Sequence, residues 1–261
     1  FIPNEYDKLM SFIGSEGTNA FTSTDMTVYV EEIPSNQFEN WARIQADRFM
    51  NPVLRGFHTE LETVYEEKNM SLTEDFSKAL ETLDGMLFPD HPYGQQTVLG
   101  TQEHLKNPSV TNIKNYHKTY YVPNNIAICL CGDFNPDQMI KVIEKYFGQM
   151  KPNENLPEVS FTTSSVIETP IEKDVYGLDA EAILIGWKYP GARSEDALIA
   201  EVAANVLYNG SAGLIDLNVN QQQTILGAIG MSYSRPDAGE LILLGNPKQG
   251  QTLEEVRDIL L

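Results

Sequence analysis

The stretch GQMKPNENLPEVSFTTSSVIETP, residues 148–170, divides the chain into two parts that each mix alternating strands with amphipathic helices. Its Pro, Ser and Thr offer turns and little apolar area to bury, which is the composition of a segment between domains. The spacing predicts a first domain over 1–150, a linker over 151–170 and a second, similar domain over 171–261, cut off at its end. Neither part alternates strand and helix strictly. The expected class is therefore α+β, antiparallel sheets packed with helices, rather than a doubly wound parallel sheet.

In the first part, apolar residues alternate at Phe21, Met26, Val28 and Val30 and stop at Pro34, which reads as a strand pair. Ser35 is placed to cap a helix carrying Phe38, Trp41, Ala42, Gln45 and Phe49 at helical spacing. Helices follow over 58–70, over 74–87 and up to Pro123, and another starts at Pro136. NIAICLCGDF reads as a buried strand whose two thiols, Cys129 and Cys131, share one face, are buried and cannot reach disulfide geometry. In the second part, AEAILIGWKYP reads as a strand, EDALIAEVAANVLYNG as a helix closed by Gly210, and TILGAIGMSYSRPDAGELILLGN as a hairpin. TLEEVRDILL reads as a final helix.

The 37 acidic residues outnumber 18 Lys and Arg, a formal charge of −19. Such a chain repels phosphate backbones, so no nucleic-acid partner is expected. No apolar run approaches the roughly 20 residues of a spanning helix, so no membrane span is expected. Hydrophobic residues at 41% are enough for real cores.

HTELETVYEEKNM, residues 58–70, carries four acidic side chains. At about 100° per residue from Phe57, Leu61, Val64 and Tyr65 form a stripe, and Glu62 and Glu66 fall on the opposite, solvent side. Glu60 and Glu67, seven apart, lie nearly above one another at the border of that stripe. A carboxylate at a core border needs a basic partner, hydrogen bonds or a metal, and spacing alone leaves these open.

NAFTSTDMTVYVEEIP, FHTELETVYEEKNM, FPDHPYGQQTVLGTQEHLKN and YHKTYYVPNNIAICLCGDFNPDQMIKVIEKYFG occur in this order. In that order and spacing they resemble the pitrilysin and insulinase type of zinc metallopeptidase (peptidase M16), relatives of mitochondrial processing peptidase with a LuxS/MPP-like fold. The resemblance is strongest over about residues 10–148. It implies a zinc site with two His and a general-base Glu from an inverted HxxEH helix and a third ligand, a Glu, from a second helix. Three protein ligands leave the fourth position on Zn2+ for a water whose pKa falls toward 7. Alignment on the family's apolar-x-Glu-Glu segment puts the ligand at Glu67 and a supporting outer acidic position at Glu60. Asn19, Ala20 and Phe21 match the family's edge strand, which binds a peptide substrate by adding it as an extra strand.

The chain departs from the family in lacking HxxEH; His58, His91, His104 and His117 have no partner at that spacing. His58 with Glu62 reads as helix surface, His91 as structural, and His104 and His117 as helix borders. The chain begins at Phe1 without Met or leader, so the expectation is a fragment whose HxxEH helix lies upstream. This chain alone is then expected to be inactive and to hold no Zn2+ tightly, with no catalytic residue of its own. The expected whole is a zinc endopeptidase enclosing extended oligopeptides, completed by a second half of the same chain or a homologous subunit. The alternative is a non-catalytic subunit of the same fold. Family relatives in bacteria suggest a periplasmic location.

Overall fold

The computed structural model describes residues 5–161 and 166–261. Helix α1 (Glu5–Phe12) leads into an antiparallel pair, β1 (Gly17–Thr22) and β2 (Thr27–Glu32), and then to α2 (Phe38–Met50) and α3 (Phe57–Ser71). Helices α4 (Asp75–Leu87), α5 (Pro92–Gln95), α6 (Gln102–Lys106), α7 (Val110–Tyr120) and α8 (Pro136–Phe147) follow. The second part holds β3 (Ile183–Pro190), α9 (Glu195–Leu207), a π-helical turn at Asp216–Asn220, β4 (Gly227–Ser234), β5 (Ala238–Asn246) and α10 (Leu253–Leu260). The α+β class is observed, with two separate antiparallel sheets.

Local chemistry sets the helix starts. Ser109, Asn135 and Ser194 accept the N–H two or three residues into α7, α8 and α9, and α10 opens with a capping box between Thr252 and Glu255. Ser35 does not cap α2: it starts a short 3-10 turn, Ser35–Gln37, and α2 begins at Phe38 with no side-chain cap.

The chain packs into two units, Phe1–Glu66 with Thr101–Val159, and Glu67–Gly100 with Ser160–Leu261. Of the linker region 151–170, residues 162–165 lie outside the described residues. Its flanks are packed: Phe161 lies edge-on to His91 at 5.2 Å, and Ile167 joins the core around Leu83.

In the first unit, Ala42 and Ala46 of α2 meet Phe147 of α8, and small residues on α2 let the two helices approach closely. Ile128 joins this core. Residues 126–131 were expected as a buried strand with buried thiols, and the structure corrects both points. Burial does alternate, with Ile126, Ile128 and Leu130 half-buried, but Cys129 and Cys131 are exposed. A strand exists only with a neighbour to bond to, and among the described residues no segment pairs with this one. Its outer side is therefore open.

In the second unit the strand order is β3-β5-β4. Side chains alternate across it. Ala238 and Ile242 face Leu83 and Leu87 of α4, whereas Leu243 and Ala228 face Val256 of α10 and Ile215 beside the π turn. Gly245 lets Val256 and Leu260 lie against the strand, because a Cβ there would come within 2.6 Å of Val256 Cγ1.

Candidate functional site

Helix α3 carries the predicted carboxylates. Glu60 and Glu67 are exposed, and neither side chain has a hydrogen bond or ion pair among the described residues. Full hydration replaces the pairing that a core border would have demanded. Leu61, Val64 and Tyr65 are only half-buried, and the sole buried residue of the helix is Lys68. On the same 100° projection Lys68 falls at about 20°, in the middle of the apolar stripe. Its Nζ bonds Glu81 Oε1 at 3.2 Å and Thr97 Oγ1 at 3.5 Å. Sequence reasoning missed this residue, although its angle was available. With Lys68 turned inward, Glu67, one residue earlier, turns outward. His58 is exposed, with Phe57 edge-on to its ring at 5.6 Å, which fits the helix-surface reading.

Asn19, Ala20 and Phe21 lie on β1, whose six residues are all exposed. Pairing runs Asn19 to Val30, Ala20 to Tyr29 and Phe21 to Val28. Ser23 donates its N–H to Met26, and since inward N–H groups recur every second residue, that of Ala20 points away from β2. It is taken up by Asn19 Oδ1 at 2.8 Å. The outer edge of β1 is unpaired among the described residues. Phe21 and Val30, on the hairpin face that Asn19 shares, remain 52% and 44% exposed.

The opposite face of the hairpin is anchored by a half-buried polar knot. Glu31 Oε1 accepts from Tyr6 Oη at 2.8 Å and from Gln45 Nε2 at 2.9 Å, and Gln45 Nε2 also reaches Tyr6 Oη at 2.7 Å. Arg48 lies 4.2 Å from the Tyr6 ring centroid and 4.7 Å from that of Tyr29. Tyr29 Oη meets Tyr121 Oη at 3.0 Å. Burial, with the Glu31 charge adding to it, pushes the Tyr6 phenol up to about 12. Burial and the Tyr121 hydrogen bond likewise raise Tyr29. This knot fixes the edge on α1 and α2, and nothing in the linear sequence announces it.

The remaining histidines differ in setting: His91 and His117 sit as expected, and His104 is exposed rather than at a border. His91 is 1% exposed and structural: its Nδ1 accepts from Tyr93 N–H at 3.1 Å to cap α5, so Nε2 carries the proton toward Asp237 at 3.3 Å. His104 is exposed on α6, and His117 stacks on Tyr121 at 4.4 Å. Among the described residues no three of His, Cys, Asp and Glu come together to hold a metal. Glu67 alone is one donor where zinc needs at least three from protein, so these residues do not fit a closed zinc site by themselves. No helix among the described residues is long and apolar enough to cross a membrane.

Comparison with known proteins gives a consistent result. The sequence profile "Peptidase M16 inactive domain" matches residues 109–256. The Helicobacter pylori "Zinc protease PqqE" is 24% identical over 223 residues, 80% of this chain and 48% of that protein. A probable mitochondrial-processing peptidase subunit beta of Schizosaccharomyces pombe is 26% identical over 138 residues, 52% of this chain and 30% of that protein. The chain thus spans about half or less of the length of these relatives. Among solved structures, a protease from Helicobacter pylori superposes with a TM-score of 0.84 at 20% identity, covering 98% of this chain and 63% of that one. The periplasmic protease PqqL from Escherichia coli superposes at 0.75 and 15% identity, covering 98% and 32%. These two likenesses establish the fold.

Proposed function

The chain belongs to the peptidase M16 family, and on that premise we propose that it is part of a zinc-dependent endopeptidase acting on extended oligopeptides in an enclosed chamber. On this reading residues 1–150 belong to the zinc-site domain and 171–261 to a second, similar domain. Glu67 is the third zinc ligand and Glu60 supports it. The two His ligands and the general base come from an HxxEH helix that is not among these 261 residues, so this chain alone is inactive. Bound zinc would supply an activated water. The chain's own contribution to binding is the β1 edge. A peptide laid along it in extended form takes the Ala20 N–H from Asn19 and adds main-chain hydrogen bonds with little demand on sequence.

The observation that carries this reading is the exposed β1 edge, unpaired among the described residues and anchored from behind by the knot around Glu31, together with the exposed carboxylate of Glu67, which has no partner among those residues. Relatives named zinc proteases support the cofactor. Likeness to the periplasmic protease PqqL supports a periplasmic location. Elemental analysis of zinc per chain, in the full-length gene product and in its Glu67→Ala variant, tests the reading. About one zinc in the former and a large loss in the latter are expected.

A second reading, a non-catalytic subunit of the same fold that binds peptide or stabilises an active partner, is favoured by one observation. The matching profile describes an inactive domain and spans most of α7 through α10. A well-folded full-length product without zinc would select it.

A further inference from the structure

A buried charge cluster joins α4 to the turn between β4 and β5. Arg235 Nη2 donates to Asp84 Oδ1 at 3.0 Å and to Glu240 Oε1 at 3.2 Å. The Arg235 and Glu240 side chains are 4% and 3% exposed. The guanidinium is boxed by the rings of Tyr93 at 4.3 Å, Phe88 at 4.8 Å and Tyr233 at 5.4 Å. Two buried atoms in this cluster, Arg235 Nε and Glu240 Oε2, have no hydrogen-bond partner among the described residues.

Charge counting makes the cluster unusual. One cation faces two carboxylates, and with both ionised a net negative charge is left in a site where only Asp84, 19% exposed, touches water, which is unfavourable. Three further charged groups lie on the elements packed around Glu240. Burial holds the amine of Lys188, its partner on β3, below the usual lysine range, with the Asp90 charge opposing. On α4, Glu81 is bonded by Lys68. On the β4–β5 turn, Asp237 takes the His91 Nε2 proton. Arg235 is the cation that the two carboxylates share.

We propose that Asp84 and Glu240 share one proton over Arg235, and that this proton is a pH-sensitive latch holding α4 on the sheet. An ionised carboxylate only accepts, whereas a protonated one donates through its hydroxyl. The orphaned Oε2 is the oxygen that can carry it, and the two carboxyls converge on the same Arg235 Nη2. The cluster is then neutral: one cation, one carboxylate, one carboxylic acid.

Titration agrees in direction. Burial, with the Asp84 charge adding to it, pushes the Glu240 carboxyl up to about 7 against the pull of Arg235. Burial also raises Asp84, opposed by Arg235. A carboxyl raised on folding gives stability that is complete below its ordinary value of 4.5 and is lost as pH rises through about 7. The latch therefore holds in acid and loosens above neutrality.

The test is thermal unfolding of the wild-type chain, Glu240→Gln and Asp84→Asn between about pH 5 and pH 8. General repulsion in so acidic a chain also grows with pH, so the gap between variant and wild type is the quantity to follow. Glu240→Gln imitates the protonated acid. It is expected to melt close to wild type at the acid end and clearly above it at the alkaline end. A gap that stays constant across the range would overturn the proposal. Carbon-13 NMR of carboxyl-labelled glutamate gives a readout independent of the variants' folding. One resonance should titrate near 7 in the wild type and at lower pH in Asp84→Asn, where Arg235 faces a single carboxylate. Absence of any glutamate titrating above about 6 would equally overturn the latch.

Discussion

Lys68 and Glu81 form an ion pair at 3.2 Å in which only the carboxylate reaches solvent: the lysine side chain is 6% exposed and the glutamate 42%. The pair fixes the rotation of α3 about its axis, and with it the outward direction of Glu67. Most of what Lys68 contributes is its apolar stem, packed where a leucine would sit. Lys68→Ala should therefore cost about 1–3 kcal/mol in urea unfolding. Lys68→Met, which keeps the stem and leaves Glu81 hydrated, should stay within about 1.5 kcal/mol of wild type. Equal losses in both variants would show that the charge, and not the stem, anchors the helix.

A peptide adding to the β1 edge must take the outward N–H of Ala20. Ala20→Pro removes that donor while leaving the β1–β2 ladder intact, because the lost N–H bonds only Asn19 Oδ1. In the full-length gene product, kcat/KM for an extended fluorogenic peptide should fall at least about fivefold, the worth of one main-chain hydrogen bond. Circular dichroism should be unchanged. Undiminished turnover would move the peptide site away from β1.

How far the sequence predicts this structure depends on whether a residue's burial is decided by its own segment. The periods of α4, α8, β3, β4 and β5 were legible because their apolar residues repeat at the spacing of the element, and each element appears within a few residues of its expected bounds. Lys68 was not legible, since a lysine in a stripe reads as surface until a neighbouring helix closes over its stem. Arg235 and Glu240 sit in RPDAGE, which reads as an exposed polar turn, and the rings of Phe88 and Tyr93 cover Arg235 only after folding. Cys129 and Cys131 erred in the other direction. Their alternating pattern is real, but a pattern shows which residues share a face and not whether a neighbouring strand covers it. For the candidate site, the segment around Glu67 and the β1 residues could be picked out in the linear sequence; the knot behind them, built from Tyr6, Glu31, Gln45 and Arg48, could not.

That knot sets an alkaline limit on the hairpin. The Tyr6 phenol, raised by burial foremost to about 12 from its ordinary value of 10, stays protonated in the folded chain where an unfolded one would ionise. Folding stability from Tyr6 is thus complete below pH 10 and is lost as pH rises through about 12. Ultraviolet titration should show tyrosines ionising late, in step with loss of ellipticity. Tyr6→Phe should lower stability at neutral pH, because Glu31 loses a donor, and should flatten its decline in alkali. A decline as steep in Tyr6→Phe as in wild type would place the alkaline weakness elsewhere.

Gly186 on β3 tests how closely α4 sits on the sheet. An added Cβ there would lie 2.9 Å from Leu83 Cδ1, 3.0 Å from Leu83 Cδ2 and 3.1 Å from Leu87 Cδ1. In a strand, replacing glycine with alanine ordinarily gains about 0.5–1 kcal/mol by restricting the unfolded chain. Here both leucines are buried, at 5% and 3% exposure, and have little room to yield. Overpacking should win. Gly186→Ala is expected to cost about 1–3 kcal/mol net. Leu83→Ala removes the two nearest atoms and leaves a cavity, so alone it should cost about 2–5 kcal/mol. The added methyl would then fill part of the space that the leucine vacated. The double variant should accordingly be more stable than the sum of the two single losses, by about 1 kcal/mol or more in a double-mutant cycle. Strict additivity would mean that the Gly186 Cβ and Leu83 do not meet, and that α4 lies farther from β3 than the structure has it.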